Sequence, residues 1–375
     1  MAGDVIRRRA LIGALLVSPL FSISRTMTPA IGTTPSLEIL DVSYWKNRFD
    51  RQAARFSDYN RPLSLSGDSN SYYNMAYGVD GYLSMFEATG QEAYLDVALR
   101  LINNVIDDAT PSTKLGSRAF NDSYLGWVSQ REDVAGREVP LFESYLWRYV
   151  CRLLTALKAN ASVYGRDSYK RQYDSILAFT EVNIFDKWYM RGGNRHIYRQ
   201  NTNMASHWAY IALHLRRHTL NSVRKNRCDA VHAHIASVGL PNYGGASLKR
   251  QMQLSAVFPG AYSWSNRWAS NPPPAQDVSH SNGEISYIVE GRDYTGIWTS
   301  TDIRRLCATL RRAVMPRKPM YVDGTGKSTG WIADGFVKLG RFSATVQKAL
   351  ETYEVQGQGQ YMAAMAENAR RLLTG

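Results

Sequence analysis

The chain is poor in cysteine: Cys151, Cys228 and Cys307 are the three in its 375 residues, and they lie far apart. An odd number of widely spaced cysteines, with no Cys-x-x-Cys pair, argues against a disulfide framework and against a cysteine-bound zinc site. Cys151 and Cys307 lie in apolar, helix-like stretches. We therefore expect both to be buried, inert thiols.

Motifs for nucleotides and metals are also missing. Residues 323–328 resemble part of a phosphate-binding loop, but Tyr321 stands where the motif requires its first glycine, and no hydrophobic strand precedes it. His214 and His218 have helical spacing without the glutamate of a His-Glu-x-x-His zinc site. The sequence therefore predicts no cofactor and no metal.

Acidic residues are fewer than basic residues. The chain has 45 Lys and Arg and 32 Asp and Glu, which gives a formal net charge of +13. Such a balance indicates a polyanionic partner, unless a basic proteome inflates it. The basic residues are scattered along the whole chain and belong to no recognisable nucleic-acid module. We therefore expect an acidic polysaccharide as the partner, not nucleic acid.

The first thirty residues have the pattern of an export signal. Arg7, Arg8 and Arg9 precede a short apolar stretch that is too short to span a membrane. The arginines followed by Ala-Leu-Ile resemble a twin-arginine signal. We expect residues 1–30 to direct export to the periplasm or the medium, and residues 31–375 to form a catalytic domain with no membrane association.

Helical periodicity dominates the remaining sequence, and strand-like alternation is sparse. The predicted helices cover 75–107 with a break at Gly90, 141–161, 168–182, 202–219, 223–238, 283–290, 301–314, 330–339 and 343–373. Helix–Gly–helix units recur with loops between them. The pattern predicts an all-α fold, an (α/α) toroid of antiparallel hairpins in a single domain, with an open helical solenoid as the alternative. Long polar loops at 183–201 and 242–282 are expected to serve a site.

The segment 195–208 has the highest density of polar functional groups. Its candidate site residues are Arg195, Tyr198, Arg199, Asn201, Asn203, His207 and Trp208. If a helix begins near Asn201, Asn203 and His207 share one face near its N-terminus, where backbone N–H groups favour an anion. The alternative is that Asn203 caps the helix and His207 is a core histidine.

A second cluster opens another predicted helix and contains Asp277, His280, Asn282 and Glu284. Asp277 is expected to orient the imidazole of His280, as carboxylates commonly do. The alternative, a simple helix cap formed by Asp277 or Ser279, explains fewer of these residues.

Two further segments are rich in arginine and aromatic residues. In the first, Arg137 or Arg148 is expected to hold a carboxylate, and Trp147 to stack on a sugar, unless the segment is only a charged helix start. In the second, the candidates are Tyr262, Trp264 and Arg267, with Tyr262 as a catalytic phenol. The alternative for these aromatic residues is that they anchor the loop.

On these features the chain resembles the (α/α)-toroid polysaccharide lyases that cleave alginate, glucuronan and related uronate polymers. The resemblance rests on the hairpins and on Asn203, His207-Trp208, Tyr262 and residues 277–284. It implies β-elimination, in which Asn203 and an arginine such as Arg137 neutralise the uronate carboxylate. His207 or Tyr262 would remove the C5 proton, and Tyr262 would protonate the leaving oxygen.

Two other classes of protein stay open at this point. One is a glycoside hydrolase on the same fold, with paired carboxylates drawn from Asp80, Glu143, Asp277 and Glu284. The other is an exported protein that binds a polyanion without catalysis. The sequence does not distinguish the sugar, the site of cleavage within the polymer or the oligomeric state.

Overall fold

The computed structural model describes residues 38–116, 120–269, 274–353 and 359–374. The export signal expected at residues 1–30 lies outside this range and stays a prediction. Within the described ranges, no helix is both long and apolar enough to cross a membrane.

Twelve principal helices account for most of the described residues. They are α1 Val42–Ser64, α2 Ser69–Thr89, α3 Glu92–Asp107, α4 Pro140–Ala159, α5 Asp167–Phe179, α6 Thr202–Leu215, α7 Ser222–Ala233, α8 Val278–Tyr294, α9 Ser300–Ala308, α10 Asp334–Lys338, α11 Ala344–Glu351 and α12 Gly359–Thr374.

Shorter elements connect or extend these helices. The α-helical turns are Ser112–Leu115, Ala161–Tyr164, Lys187–Met190, Gly193–His196, Leu248–Gln251 and Met315–Arg317. The 3-10 turns are Glu132–Val134, Pro241–Tyr243 and Leu339–Phe342, and the π turns are Thr180–Asp186, His234–Val238 and Thr309–Val314. Two antiparallel strand pairs join Thr110–Pro111 to Leu125–Gly126 and Gln253–Leu254 to Tyr262–Ser263.

The even-numbered helices form a closed inner ring. Each packs against the next in the order α2, α4, α6, α8, α10 and α12, and α12 packs against α2. The odd-numbered helices lie outside, where α3 packs on α2, α5 on α4, α7 on α6, α9 on α8 and α11 on α12, while α1 packs on both α2 and α12. The predicted (α/α) toroid is therefore confirmed over the open solenoid, because a solenoid would leave the first and last inner helices apart.

Residue composition explains which helices lie inside. α6 is buried without interruption from Ala205 to Leu215, as expected for a helix that has neighbours on every side. α2 and α12 approach closely at Gly81, where a Cβ atom would lie 3.3 Å from the Cα of Gln360. Small residues therefore allow the ring to close.

A buried ionic network joins four inner helices across the ring. Asp80 of α2 accepts hydrogen bonds from Arg152 of α4 at 2.8 Å, Lys338 of α10 at 3.0 Å and Gln360 of α12 at 2.9 Å. Because these groups are excluded from water, each depends on its partners for compensation. Asp80, one of the carboxylates considered for hydrolysis, is thus a structural residue.

Several predicted helices need correction. The helix predicted over 283–290 begins at Val278, because the Asp277 side chain caps it. The single helix predicted over 343–373 is two helices, of which the first ends at Glu351. α1 was missed altogether. The break at Gly90 is confirmed, since this residue ends α2 with a φ of 69°.

The cysteines are all free. Cys151 is buried as expected, but Cys307 is only partly buried. Burial raises the pKa of the Cys307 thiol to about 12, so it is protonated at neutral pH.

Candidate functional site

A cavity of about 120 Å³ lies where the N-terminal parts of four inner helices meet. It is lined by Tyr73 and Tyr77 of α2, Leu141 and Tyr145 of α4, Asn203, Met204 and His207 of α6, Ser279, His280 and Gly283 of α8, and Trp331, which precedes α10. Helix N-termini carry partial positive charge and unpaired N–H groups. The cavity is therefore suited to ligands rich in oxygen.

Asn203 and His207 lie one turn apart on α6, as their spacing predicted, and both line this cavity. They are only 6% and 2% exposed. His207 Nδ1 has no hydrogen-bond partner among the described residues. Burial, and next the charge of Arg148, holds the pKa of His207 well below its ordinary value, so the ring is neutral.

Gly283 lets α8 approach this histidine. A Cβ atom at position 283 would lie 2.9 Å from His207 Nε2 and 3.1 Å from Arg148 Nη1. Both distances are shorter than normal carbon contacts, so a larger residue would displace the imidazole. The position of His207 in the cavity wall depends on this glycine.

Arg148 supports the wall from behind. Its guanidinium is fully buried and lies over the rings of Tyr145 at 4.1 Å and Tyr149 at 4.4 Å. Arg148 Nη2 donates to the Tyr149 hydroxyl at 2.7 Å and lies 3.7 Å from Asp334 Oδ2. Its charge is thus paired with Asp334 inside the protein, while Arg148 Nε and Nη1 have no hydrogen-bond partner among the described residues.

His280 forms an ion pair with Asp277 at the rim. Its Nδ1 lies 2.9 Å from both carboxylate oxygens, and its backbone N–H also donates to Asp277. The hydrogen bond to Asp277 raises the pKa of His280, although burial opposes this. Burial alone would raise the pKa of Asp277, but the bonds from His280 bring it below its usual value. The predicted pairing of these two residues is present in the structure.

Three tyrosines add aromatic surface that the sequence analysis did not single out. The rings of Tyr73 and Tyr145 are 4.1 Å apart, and those of Tyr77 and Tyr145 are 5.6 Å apart. Burial raises the pKa of Tyr145 well above the ordinary value, so its hydroxyl stays protonated. These residues lie in predicted helices, but the convergence of the inner helix N-termini is a property of the folded ring.

Tyr262 and Trp264 lie away from the cavity lining. The Tyr262 hydroxyl donates to Asp302 at 2.8 Å and accepts a bond from Arg305 at 3.0 Å. Trp264 Nε1 donates to Glu284 at 2.5 Å. Both aromatic side chains are buried. They anchor the loop that precedes α8, which was the alternative interpretation of this segment.

The other tryptophans proposed for sugar binding are core residues. Trp147 and Trp208 are completely buried, and Trp147 Nε1 donates to Thr180 Oγ1 at 3.0 Å. Arg137 is exposed on the loop before α4 and does not line the cavity. A carboxylate clamp formed by Arg137 is therefore absent from the cavity described here.

The segment before α6 and Arg267, whose backbone pairs with that of Asn201, form a basic surface. Arg195 and Arg267 are exposed, whereas Tyr198, Arg199 and Asn201 are partly buried. After burial, Arg148 and His280, the charge of Arg199 also contributes to the lowered pKa of His207. In the part of the chain that the structure describes, Arg195, Arg199 and Arg267 have no carboxylate within ion-pair distance, unlike the arginines of the core. None of the five residues lines the cavity itself.

The carboxylates considered for a hydrolase are mostly engaged elsewhere. Glu143 accepts from Lys187 at 2.9 Å and from Trp188 at 2.7 Å, deep in the protein. Burial raises the pKa of Glu284 to about 8, so it is largely protonated at neutral pH. Of the four carboxylates considered, Asp277 is the one hydrogen-bonded to a side chain of the cavity lining, that of His280. Asn282 binds the segment before α10 and does not line the cavity.

No protein-family model matches the sequence, and no curated protein matches it significantly. Among solved structures, the chain is similar to an inactive variant of the α-1,6-mannanase GH76A of Salegentibacter sp. HEL1_6, in complex with α-1,6-mannotetrose. The similarity covers 87% of this chain and 99% of that chain, at 11% sequence identity and a TM-score of 0.43.

The prediction of a polysaccharide lyase acting on alginate or glucuronan by β-elimination is wrong. The solved structure named above, to which the chain is similar, is that of a mannanase and not of a lyase. The positions of the side chains also disagree with that mechanism, which required the Tyr262 phenol beside His207. In the structure this phenol is bonded to Asp302 and Arg305 outside the cavity.

Proposed function

We propose that the protein binds a polysaccharide at the cavity and hydrolyses a glycosidic bond there. The observation that supports this proposal is the combination of aromatic rings with two imidazoles, His207 and His280, in one cavity wall. Sugar rings offer apolar faces to aromatic side chains and hydroxyl groups to donors and acceptors. Asn203 and Ser279 supply such polar groups.

Hydrolysis requires one group that gives a proton and one that takes it. His280, whose pKa Asp277 raises, is the group for donating a proton to the leaving glycosidic oxygen. His207, which burial keeps neutral, is the group for accepting a proton from the attacking water. The water oxygen bonds to the anomeric carbon as the glycosidic bond breaks. Environments that push two pKa values apart are a common basis for such a division of roles.

The basic surface supports an acidic polysaccharide as the substrate. Arg195, Arg199 and Arg267 of this surface have no carboxylate partners among the described residues, and the whole chain has a net charge of +13. Unpaired guanidinium groups bind carboxylates and sulfates well because of their forked geometry.

A protein that binds a polysaccharide without cleaving it is the second candidate. The cavity lining, as far as the structure describes it, contains no pair of carboxylates, which most glycoside hydrolases use. If this candidate is correct, the same side chains hold the sugar and no bond is broken.

The deciding experiment incubates the purified protein with neutral and acidic polysaccharides, including an α-1,6-mannan. New reducing ends are measured alongside absorbance from unsaturated ends, and binding is measured by calorimetry. We expect new reducing ends without unsaturated ends, and their loss in the His280→Gln and His207→Gln variants. Binding without any new ends would support the second candidate. An absence of both would refute the proposal.

We also propose that the protein is exported, on the basis of residues 1–30. Expression with Arg8 and Arg9, the pair that precedes Ala10-Leu11-Ile12, replaced by lysine is expected to leave the protein in the cytoplasm. Equal amounts of wild type and variant outside the cytoplasm would contradict a twin-arginine route.

A further inference from the structure

The cavity is too small to hold more than a short part of a polysaccharide. Its volume of about 120 Å³ is well below the ~300–1,000 Å³ typical of sites for drug-sized ligands. A bound chain must therefore continue across the mouth of the cavity, and the residues at the mouth must contact the neighbouring sugar.

Trp331 lies at this mouth. Its ring is 5.6 Å from that of Tyr77, in an edge-on arrangement, and it is 38% exposed. The chain has nine tryptophans, and the other eight are at most 3% exposed. Covering a large aromatic ring from water is favourable, so an exposed indole that also lines a cavity is available to stack on a ligand held there.

The segment that carries Trp331 is fastened to the first turns of α8. Asn282 Nδ2 donates to the Trp331 carbonyl at 3.1 Å, and Ser279 Oγ accepts from the Trp331 N–H at 3.2 Å. Asn282 Oδ1 accepts from Ala333 at 2.8 Å and from Phe336 at 3.2 Å. One buried amide therefore holds both sides of the turn that leads into α10.

Close packing fixes the same turn. A Cβ atom at Gly335 would lie 2.1 Å from the Asn282 carbonyl oxygen, so only glycine permits this approach. The Asn282 side chain is itself only 3% exposed. Asn282, predicted from the sequence to bind substrate, thus contacts the protein instead.

We propose that Trp331 forms a sugar-stacking subsite at the cavity mouth, and that Asn282 is the positioning residue that holds it there. The inference rests on the proposed function, because it assumes that a polysaccharide occupies the cavity. The ligand of the subsite is the sugar ring adjacent to the one in the cavity.

Tryptophan fluorescence tests the subsite directly. Since Trp331 is the exposed indole, acrylamide should quench it preferentially, and a bound oligosaccharide should protect it. The probe is an oligosaccharide of four or more units from whichever polysaccharide the wild type binds. We expect protection in the wild type and none in Trp331→Phe, and at least tenfold weaker binding in Trp331→Ala.

Tyr59→Ala is the matched control, because Tyr59 is an exposed aromatic on α1 that is 58% accessible and does not line the cavity. We expect it to bind as the wild type does. If Trp331→Ala binds the oligosaccharide as tightly as the wild type does, the proposed subsite is overturned. A wild type that binds none of the polysaccharides would instead refute the proposed function.

Asn282→Asp tests the positioning role. The aspartate keeps an acceptor for Ala333 and Phe336 but cannot donate to the Trp331 carbonyl. We expect a folded protein with greater acrylamide quenching without ligand and weaker binding of the four-unit oligosaccharide, while a single sugar unit binds as before. If both ligands bind as in the wild type, and quenching is unchanged, Asn282 has no positioning role.

Discussion

At the scale of single residues, the site is defined by contacts that leave little room for change. At Gly283, the gap between α8 and His207 is too narrow for a methyl group. His280 Nδ1 lies 2.9 Å from each carboxylate oxygen of Asp277 at the rim. Each contact assigns a measurable property to one side chain, so each can be tested by a conservative substitution.

Gly283→Ala should reduce activity without unfolding the protein. The new methyl group would meet His207 Nε2 and Arg148 Nη1, and shifting a catalytic group by about 1 Å can cost roughly 100-fold in rate. Overpacking of this kind costs about 1–3 kcal/mol of stability. Gly296→Ala is the control, because no heavy atom lies within 4 Å of its Cβ position. Steady-state rates and denaturant unfolding of both variants check this prediction.

The pKa of His280 should lie above that of an ordinary histidine and should fall in Asp277→Asn. Its folded pKa is raised, so its contribution to stability is present at low pH and disappears as the pH rises through that folded value. The lowered pKa of Asp277 removes the contribution again in acid. NMR titration of the imidazole in both proteins measures the shift, and an unchanged value in the variant would be inconsistent with the pair.

Ionisation of the buried Glu284 carboxyl group should lower the stability of the protein as the pH rises. Its folded pKa of about 8 lies above the unfolded value, so the folded state holds the extra proton and stability falls between about pH 4.5 and 8. Glu284→Gln removes this titration while keeping an acceptor for Trp264. The difference in unfolding free energy between variant and wild type should therefore grow with pH, by at most about 1.4 kcal/mol per unit. Equal pH profiles from urea unfolding would contradict this.

At the scale of elements, the sequence allowed most of the helices and the shared helix face of Asn203 and His207 to be predicted. The spacing of Asn203 and His207 was sufficient because both lie on one helix and helical geometry is local. Trp331 could not be found this way, since its role depends on α8 and α10 meeting in the ring. Tyr262 was misassigned for the same reason: its partner Asp302 is 40 residues away in sequence.

The buried ionic network around Asp80 should stabilise the packing of the inner helices against one another. Asp80 is the carboxylate bonded to Lys338 among the described residues, and both side chains are fully buried. Asp80→Ala should cost about 3–5 kcal/mol, because the ammonium group is left uncompensated. Adding Lys338→Met should recover part of this loss. Thermal unfolding measures the loss of stability in the single and the double variant. Equal losses in the two would contradict the pairing of Asp80 with Lys338.

At the scale of the whole molecule, excess positive charge should act on long acidic ligands. Salt shortens the reach of exposed charges, from about 10 Å at 0.1 M to about 3 Å at 1 M. Binding of an acidic polysaccharide should therefore weaken with salt, and replacing Arg195, Arg199 and Arg267 by glutamine should reduce that dependence. Binding of a neutral polysaccharide should change little. Calorimetry at several salt concentrations measures the binding of both polysaccharides. Binding of the acidic polysaccharide that does not depend on salt would exclude an electrostatic role for the three arginines.

The closure of the ring also sets the order of events during synthesis. The hydrogen bond from Gln360 to Asp80 joins residues 280 positions apart, and α12 supplies neighbours for both α1 and α2. Residues up to and including α12 must therefore be synthesised before α2 has all of its neighbours in the ring. Long-range closure of this kind is slow, and the unfinished ring presents apolar surface in the meantime. The toroid can be complete only once α12 has been synthesised, because α12 supplies the last neighbours of α1 and α2.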